Sequence, residues 1–387
     1  VNAISKPYYP ALTGIRAIAA YMVFFYHFNP LSLDTWAGRL VERGGFGVVI
    51  FFVLSGFLIA SRYMNHLQLS LAWGVKYLWG RVARIYPMYF LITAVTFLAM
   101  SLDVSYDHSG QWQSYGLWDK ALVATLNFTF LRGFFKQFLL SGVSQGWTLT
   151  IEETFYFLAP FILLVARRRY WPLLGAGILF LAVGGLLVKV LAPLDFYGLM
   201  GSYSFFFENT FFGRCGDFLF GIALAYCISK GKELKLAQGY HTIIGLVLTV
   251  ACIATMAWLH PPVGQSAPLE SGLILGLSIA INYAMPASIA LWLYGLVRET
   301  TISSRFLSSN FMQTLGKSSY VFYLIHVGVL EYLLSKFTGD NLFVKFIALN
   351  LLAYILFRIV EEPMHKFLMR KMPKSPVLQT KEELQLA

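Results

Sequence analysis

Arg16 and His27 lie in the first apolar stretch of the chain, 11–28, which reads ALTGIRAIAAYMVFFYHF. In a helix, the eleven steps between them return to within roughly 20° of the starting direction and rise roughly 16 Å. A guanidinium and an imidazole then share one face at two depths. Ionisable side chains within an apolar span are costly and mark function by default. Snorkelling of Arg16 to an interface accounts for its position equally well. An imidazole with a pKa of about 6.5 suits general-base work near neutral pH. It also suits nucleophilic work through an acyl-histidine, and the sequence does not separate the two.

Further polar side chains recur in other apolar stretches. Glu152 lies in WTLTIEETFYF, Arg214 stands three residues before Asp217 in GRCGDFLFG, and Ser319, Tyr323 and His326 follow an i, i+4, i+7 pattern on one helical face. Arg81 and Arg84 stand at i and i+3 before Pro87, a spacing that suits a phosphate-bearing ligand and equally an anchor at the membrane surface. Each has a plainer reading. Glu152 favours a helix N-terminus, Arg214 and Asp217 satisfy one another, and a lone His326 is a buried, hydrogen-bonded core residue. Their joint occurrence in the same half of the membrane points instead to a shared polar cavity.

The elements that must position them are membrane spans. The chain has 387 residues, 57% hydrophobic and 13% charged, with a mean hydropathy of +0.63. Soluble domains carry about 25% charged residues, so the class is an all-α integral membrane protein. About ten stretches have the length a helix needs to span a hydrocarbon core: 11–28, 46–63, 78–101, 149–167, 171–192, 205–229, 241–259, 270–296, 315–335 and 341–360. The shorter apolar stretch 119–131 reads as re-entrant or interfacial. Lys and Arg gather before the first span, in the even-numbered connections and in the tail: Lys6; Arg62, Lys76, Arg81 and Arg84; Arg167 to Arg169; Lys230, Lys232 and Lys235; Arg298 and Arg305; Lys366 to Lys374. That alternation places both termini in the cytoplasm and gives the net charge of +11 a topological meaning, with no basic run that would suit nucleic acid. Cys215, Cys227 and Cys252 have no metal-like spacing. The first span is expected to act as its own insertion signal, without a cleavable one. Gly47, Ser55 and Gly56 permit close helix approach. The polar connection 103–146 falls outside on this topology, where it suits contact with an extracytoplasmic acceptor.

In these motifs the chain resembles membrane-bound acyltransferase family 3, which includes O-antigen and exopolysaccharide acetyltransferases, from Leu12 to about Phe367. Arg16 and His27 match the family's basic residue followed by histidine. GFGVVIFFVLSGFLI, RVARIYP, WTLTIEETFYF with Trp147 and Glu152, Arg214, SSYVFYLIH ending at His326, and EEP follow in the family's order. Thr148 stands where the family often has serine. The resemblance implies transfer of an acyl group, usually acetyl, from cytoplasmic acetyl-CoA as co-substrate to a glycan on the other side, without a metal. His27 is then the base or acyl acceptor, supported by Glu152. Arg16, Trp147, Arg214, Ser319, Tyr323 and His326 line the cavity or stabilise the oxyanion, and Arg81 and Arg84 hold the donor's phosphates. It also implies a bacterial cytoplasmic membrane. The expected organisation is one transmembrane domain over 1–368 and a short basic cytoplasmic tail over 369–387, without the soluble hydrolase-like domain that many members append. The competing readings are a secondary transporter using the intramembrane charges, a catalytically idle membrane scaffold or receptor, and an acyltransferase acting on a small molecule.

Overall fold

The computed structural model describes residues 8–68, 70–102, 111–231, 237–261, 270–339 and 341–372. Lys6, Lys232, Lys235, Lys374 and most of the expected basic tail lie outside the described residues. Sixteen α-helices follow in order: α1 Pro10–His27, α2 Trp36–Glu42, α3 Gly47–Tyr63, α4 Leu71–Leu102, α5 Leu117–Phe128, α6 Trp147–Ala166, α7 Pro172–Leu191, α8 Tyr203–Asn209, α9 Phe211–Ser229, α10 Tyr240–Leu259, α11 Ser271–Arg298, α12 Ile302–Leu307, α13 Asn310–Ile325, α14 Val329–Thr338, α15 Leu342–Leu356 and α16 Glu362–Arg370. No strand occurs among the described residues.

Among these residues, eight helices are long and apolar enough to cross a membrane, and the bent pair α13–α14 makes a ninth. That is one fewer than the ten stretches expected; α1, the remaining one, is not apolar enough to count among them. Arg16 and His27 lower its mean hydropathy, yet it is an inner helix: Ile15, Ala17, Ala19, Ala20 and Phe24 are fully buried. α7 and α15, by contrast, bury few side chains and turn Leu, Ile and Phe outward, as lipid contact requires. The stretch 119–131 forms the twelve-residue α5, about 18 Å long and too short to span. It packs Val123 and Leu126 into a small core with Phe97, Trp112 and Phe138.

Two expected spans are not single straight helices. The sixth divides at Thr210, which caps α9 by accepting from the Gly213 N–H, so Arg214 stands in the first turn of α9 rather than two or three turns in. The ninth breaks after Ile325, and α14 leaves at 97° to α13, so 315–335 does not present one continuous face.

Close backbone approach sets the bundle. A Cβ on Gly56 would lie 2.2 Å from the Phe218 carbonyl oxygen, fixing α3 against α9, and one on Gly316 would lie 1.9 Å from the Thr13 oxygen, fixing α13 against α1. The latter contact holds together the two helices that end in His27 and His326. At the membrane edge, the buried Glu299 ties α11 to α10. Its Oε1 accepts from the N–H and Nδ1 of His241, and its Oε2 from the N–H and Oγ1 of Thr242. These include first-turn amides that have no partner within the helix. Burial raises the Glu299 carboxyl, but the hydrogen bonds from Thr242 and His241 outweigh it and bring the pKa down to about 2.

Gly316→Ala is expected to destabilise the protein by about 1–3 kcal/mol through overpacking, read as a lower thermal midpoint in nanodiscs. Gly185→Ala, with open space around it, should leave the midpoint nearly unchanged. Glu299→Gln should lower the midpoint at pH 7. Because the native carboxyl is depressed below the ordinary value of about 4.3, its contribution is present above that value and is lost as pH falls towards about 2. The gap between wild type and Glu299→Gln should therefore close over that window.

Candidate active site

α1 ends at His27, just before Asn29 and Pro30, leaving the imidazole exposed at the helix end. Its Nδ1 lies 2.9 Å from the Val23 carbonyl oxygen and 3.3 Å from His326 Nε2. The two rings are 5.0 Å apart at 63°. His326 is completely buried, and its Nδ1 lies 2.8 Å from the Tyr323 oxygen. A carbonyl cannot donate, so each Nδ1 carries a proton and, in the neutral pair, each Nε2 carries a lone pair. His326 Nε2 then accepts from His27 Nδ1–H. The lone pair of His27 is then at Nε2, placed by the network rather than by chance of tautomer.

His326 owes its place to the break between α13 and α14. Gly328, at φ +111°, supplies a backbone conformation that L side chains rarely adopt. The break strips carbonyls of their helical partners, and the Gln145 amide replaces them. Its Nε2 donates to the oxygens of Tyr323 at 3.0 Å, Leu324 at 2.6 Å and Val327 at 3.2 Å. Ser144 Oγ donates to Gln145 Oε1, and Thr148 Oγ1 donates to the Gln145 oxygen. Beneath them, the fully buried Arg132 donates to the Val143 and Ser144 carbonyls.

A separate cavity of about 160 Å³ lies among α1, α3, α4, α6 and α13. Arg16, Arg81 and Arg84 all line it, together with Glu152, Tyr156 and Tyr323. The resemblance gave Arg16 to the cavity lining and Arg81 and Arg84 to the donor's phosphates; the fold brings all three to one space. Arg81 lies 5.7 Å over the Tyr156 ring. Arg84 pairs with Glu361 at 2.9 Å, which the π-helical turn Phe357–Glu361 carries into the interior, 2% exposed. Such turns re-aim side chains at functional sites.

Several expected partnerships do not form. Glu152 accepts from Ser55 Oγ and from Tyr156 OH at 2.5 Å and does not hydrogen-bond His27; the histidine's ring partner is His326. Ser319 donates into its own helix, to the Gly316 oxygen, because the i−3 carbonyl is its nearest acceptor. Trp147 is half-buried at the start of α6 and packs on the core. Arg214 belongs to a second cavity of about 210 Å³, bonded to Asp217 at 2.8 Å through both Nε and Nη2. The single shared cavity thus divides into three sites, because α3 and Tyr323 stand between them. Tyr323 forms the wall on one side. It lines the arginine cavity, packs its ring 5.6 Å from His326 and holds its hydroxyl 3.0 Å from Thr148.

Sequence reasoning missed Gln145, Tyr156, Arg132 and the role of Glu361. Tyr156 was accessible as the i+4 neighbour of Glu152, and Arg132 as a lone charge in the apolar run TLNFTFLRGFF. Nothing in the sequence marks Gln145, since its partners lie about 180 residues away.

The family model for the acyltransferase domain matches residues 9–360. O-acetyltransferase OatA of Staphylococcus aureus (strain NCTC 8325 / PS 47) is 26% identical over 374 residues, covering 94% of this chain and 58% of that protein. The putative O-acetyltransferase SACOL0978 of Staphylococcus aureus (strain COL) is 25% identical over 387 residues, covering 93% and 58%. The chain therefore spans about 58% of the length of these curated relatives. No solved structure matches.

Gln145→Leu is expected to leave buried carbonyls without a donor, at about 1–3 kcal/mol. Hydrogen exchange should then quicken in the peptide spanning the α13–α14 break and remain unchanged in α10.

Proposed function

The chain belongs to the membrane acyltransferase family of the acyltransferase 3 type, and on that premise we propose that it O-acetylates a glycan at or beyond the cell surface, using cytoplasmic acetyl-CoA. α1 enters a bacterial cytoplasmic membrane from the inside, so that His27 lies at its outer end and the arginine cavity below it. Transfer of acetyl across the membrane explains why one bundle needs both. The observation that carries the reading is the His27–His326 pair, in which two main-chain carbonyls fix both Nδ1 protons and so put the lone pair of the exposed His27 ring on Nε2.

In this mechanism, His27 Nε2 takes the proton of the acceptor hydroxyl as its oxygen attacks the thioester carbonyl. The carbon–sulfur bond breaks, and the departing thiolate of CoA takes the proton back from the imidazolium. While His27 is charged, Val23 O and His326 Nε2 both accept from its Nδ1–H. His326 thus occupies the place that a carboxylate fills in a serine-protease triad, orienting the ring without adding a negative charge. Arg16, Arg81 and Arg84 meet the donor's phosphates through charge-assisted hydrogen bonds. Glu152, held by Ser55 and Tyr156, balances part of their charge and keeps the cavity's donors in register. Tyr323 stands between the cavity and His326, and its hydroxyl, which donates to Thr148 Oγ1, holds the wall past which the acetyl group travels to His27.

The test is CoA release by purified protein in nanodiscs supplied with acetyl-CoA and an extract of cell-surface glycans. His27→Ala is expected to lose about 10²–10⁴-fold in kcat, the usual weight of a positioned general base, while retaining its thermal midpoint and acetyl-CoA affinity. Turnover equal to wild type in His27→Ala would remove the histidine from the chemistry. Substrate flux into proteoliposomes without CoA release would favour a transporter instead.

A further inference from the structure

The cavity around Arg214 has a character opposite to that of the arginine cavity. The two lie on different sides of α3: Val49 lines the first, whereas Val48, Phe51 and Phe52 line the second. In the arginine cavity three guanidiniums face the carboxylate of Glu152, and Arg84 is also paired with Glu361, which leaves the space positive. Around Arg214 one guanidinium faces two carboxylates, Asp217 and Glu208, and Asp217 is already bonded to Arg214. What remains is negative. Such a space repels the phosphates that the other attracts.

Its open side carries polar groups that the protein leaves unused. Asn282, midway along α11, and Glu208, at the end of α8, are exposed and line the cavity. Among the described residues neither side chain makes a hydrogen bond or ion pair. An amide in a membrane-spanning helix with no protein partner is costly and marks a functional surface by default. The remaining walls include the aromatic rings of Phe46, Phe207 and Tyr283. Ring faces are electron-rich and attract the weakly positive hydrogens of a carbon skeleton. An amide offers both donors and acceptors, and a carboxylate accepts from hydroxyls.

From this combination we infer that the cavity holds a neutral, hydroxyl-rich ring: a sugar unit of the acceptor next to the one that is acetylated. The inference rests on the acyl transfer to a glycan proposed above. The cavity is joined to the base through the turn Gly44–Phe46. Phe46 lines it, a Cβ on Gly45 would lie 3.7 Å from the Tyr26 ring, and that ring packs 4.8 Å from His27. Tyr26 is 38% exposed. An oligosaccharide with one ring in the cavity can run across Phe46 and Tyr26 and bring a hydroxyl of the next unit to His27 Nε2. On the inner side, the Arg214 guanidinium lies 5.4 Å over the Phe52 ring, which stacks on Phe218 and also lines the arginine cavity. Acceptor and donor sites therefore share one aromatic wall. The ion pair of Arg214 and Asp217 keeps that wall's outer face polar but uncharged overall.

Binding is measured by isothermal titration of the protein in nanodiscs with chitotetraose, maltotetraose and, as an anionic control, tetragalacturonate. Wild type should bind at least one neutral oligosaccharide and bind the anionic one more weakly. Asn282→Ala and Glu208→Gln should each weaken the neutral ligand by about tenfold, with thermal midpoints unchanged as evidence of folding. The inference is overturned if wild type binds neither neutral oligosaccharide, if both variants bind as tightly as wild type, or if the anionic sugar binds best. Glycan-dependent CoA release that persists under any of those results would leave the acyl-transfer reading standing and remove only this cavity from it. Conversely, sugar binding that responds to both variants in a protein that never releases CoA would count against acyl transfer and leave a sugar-binding membrane protein.

Discussion

Three carbonyl oxygens at the end of α13 must find donors in a medium that supplies none, and Gln145 donates to all three. In lipid, irregular backbone survives only where protein or an internal cavity satisfies it. The broken helix is therefore possible only because the loop before α6 reaches it. That loop is itself held by Arg132 from below and Ser144 alongside. The break then gives His326 the Tyr323 carbonyl as its Nδ1 acceptor and leaves Nε2 facing His27. The orientation of an exposed imidazole thus depends on a buried amide on another helix.

The arrangement of helices follows the same economy of polar groups. α1 carries both Arg16 and His27, and it sits inside the bundle, where alanines at positions 17, 19 and 20 allow neighbours to approach. Helices without polar duties, such as α7 and α15, lie at the periphery with apolar side chains turned outward. The charges of the interior are arranged by pairing rather than dilution. Arg84 meets Glu361 on a π-helical turn, Arg214 meets Asp217, and Arg81 lies over an aromatic ring. Two cavities of opposite balance result, on different sides of α3.

Much of this was legible along the chain. Composition and the spacing of apolar stretches determined the helical membrane class, and the i+11 spacing of Arg16 and His27 placed both on one helix with the imidazole at its end. Arg81 and Arg84 at i, i+3 were recognisable as a pair, as were Arg214 and Asp217, because such contacts lie within a turn or two of a single helix. The ordered motifs identified the family. What the tertiary structure alone decided is which of these local groups meet: His27 with His326 rather than Glu152, Glu152 with Ser55 and Tyr156, and Arg214 in a cavity of its own. Those contacts depend on helix rotation, on a 97° break and on a π-helical turn. Each is selected by satisfying buried polar groups between segments far apart in the chain, a condition that periodicity within any one segment cannot express.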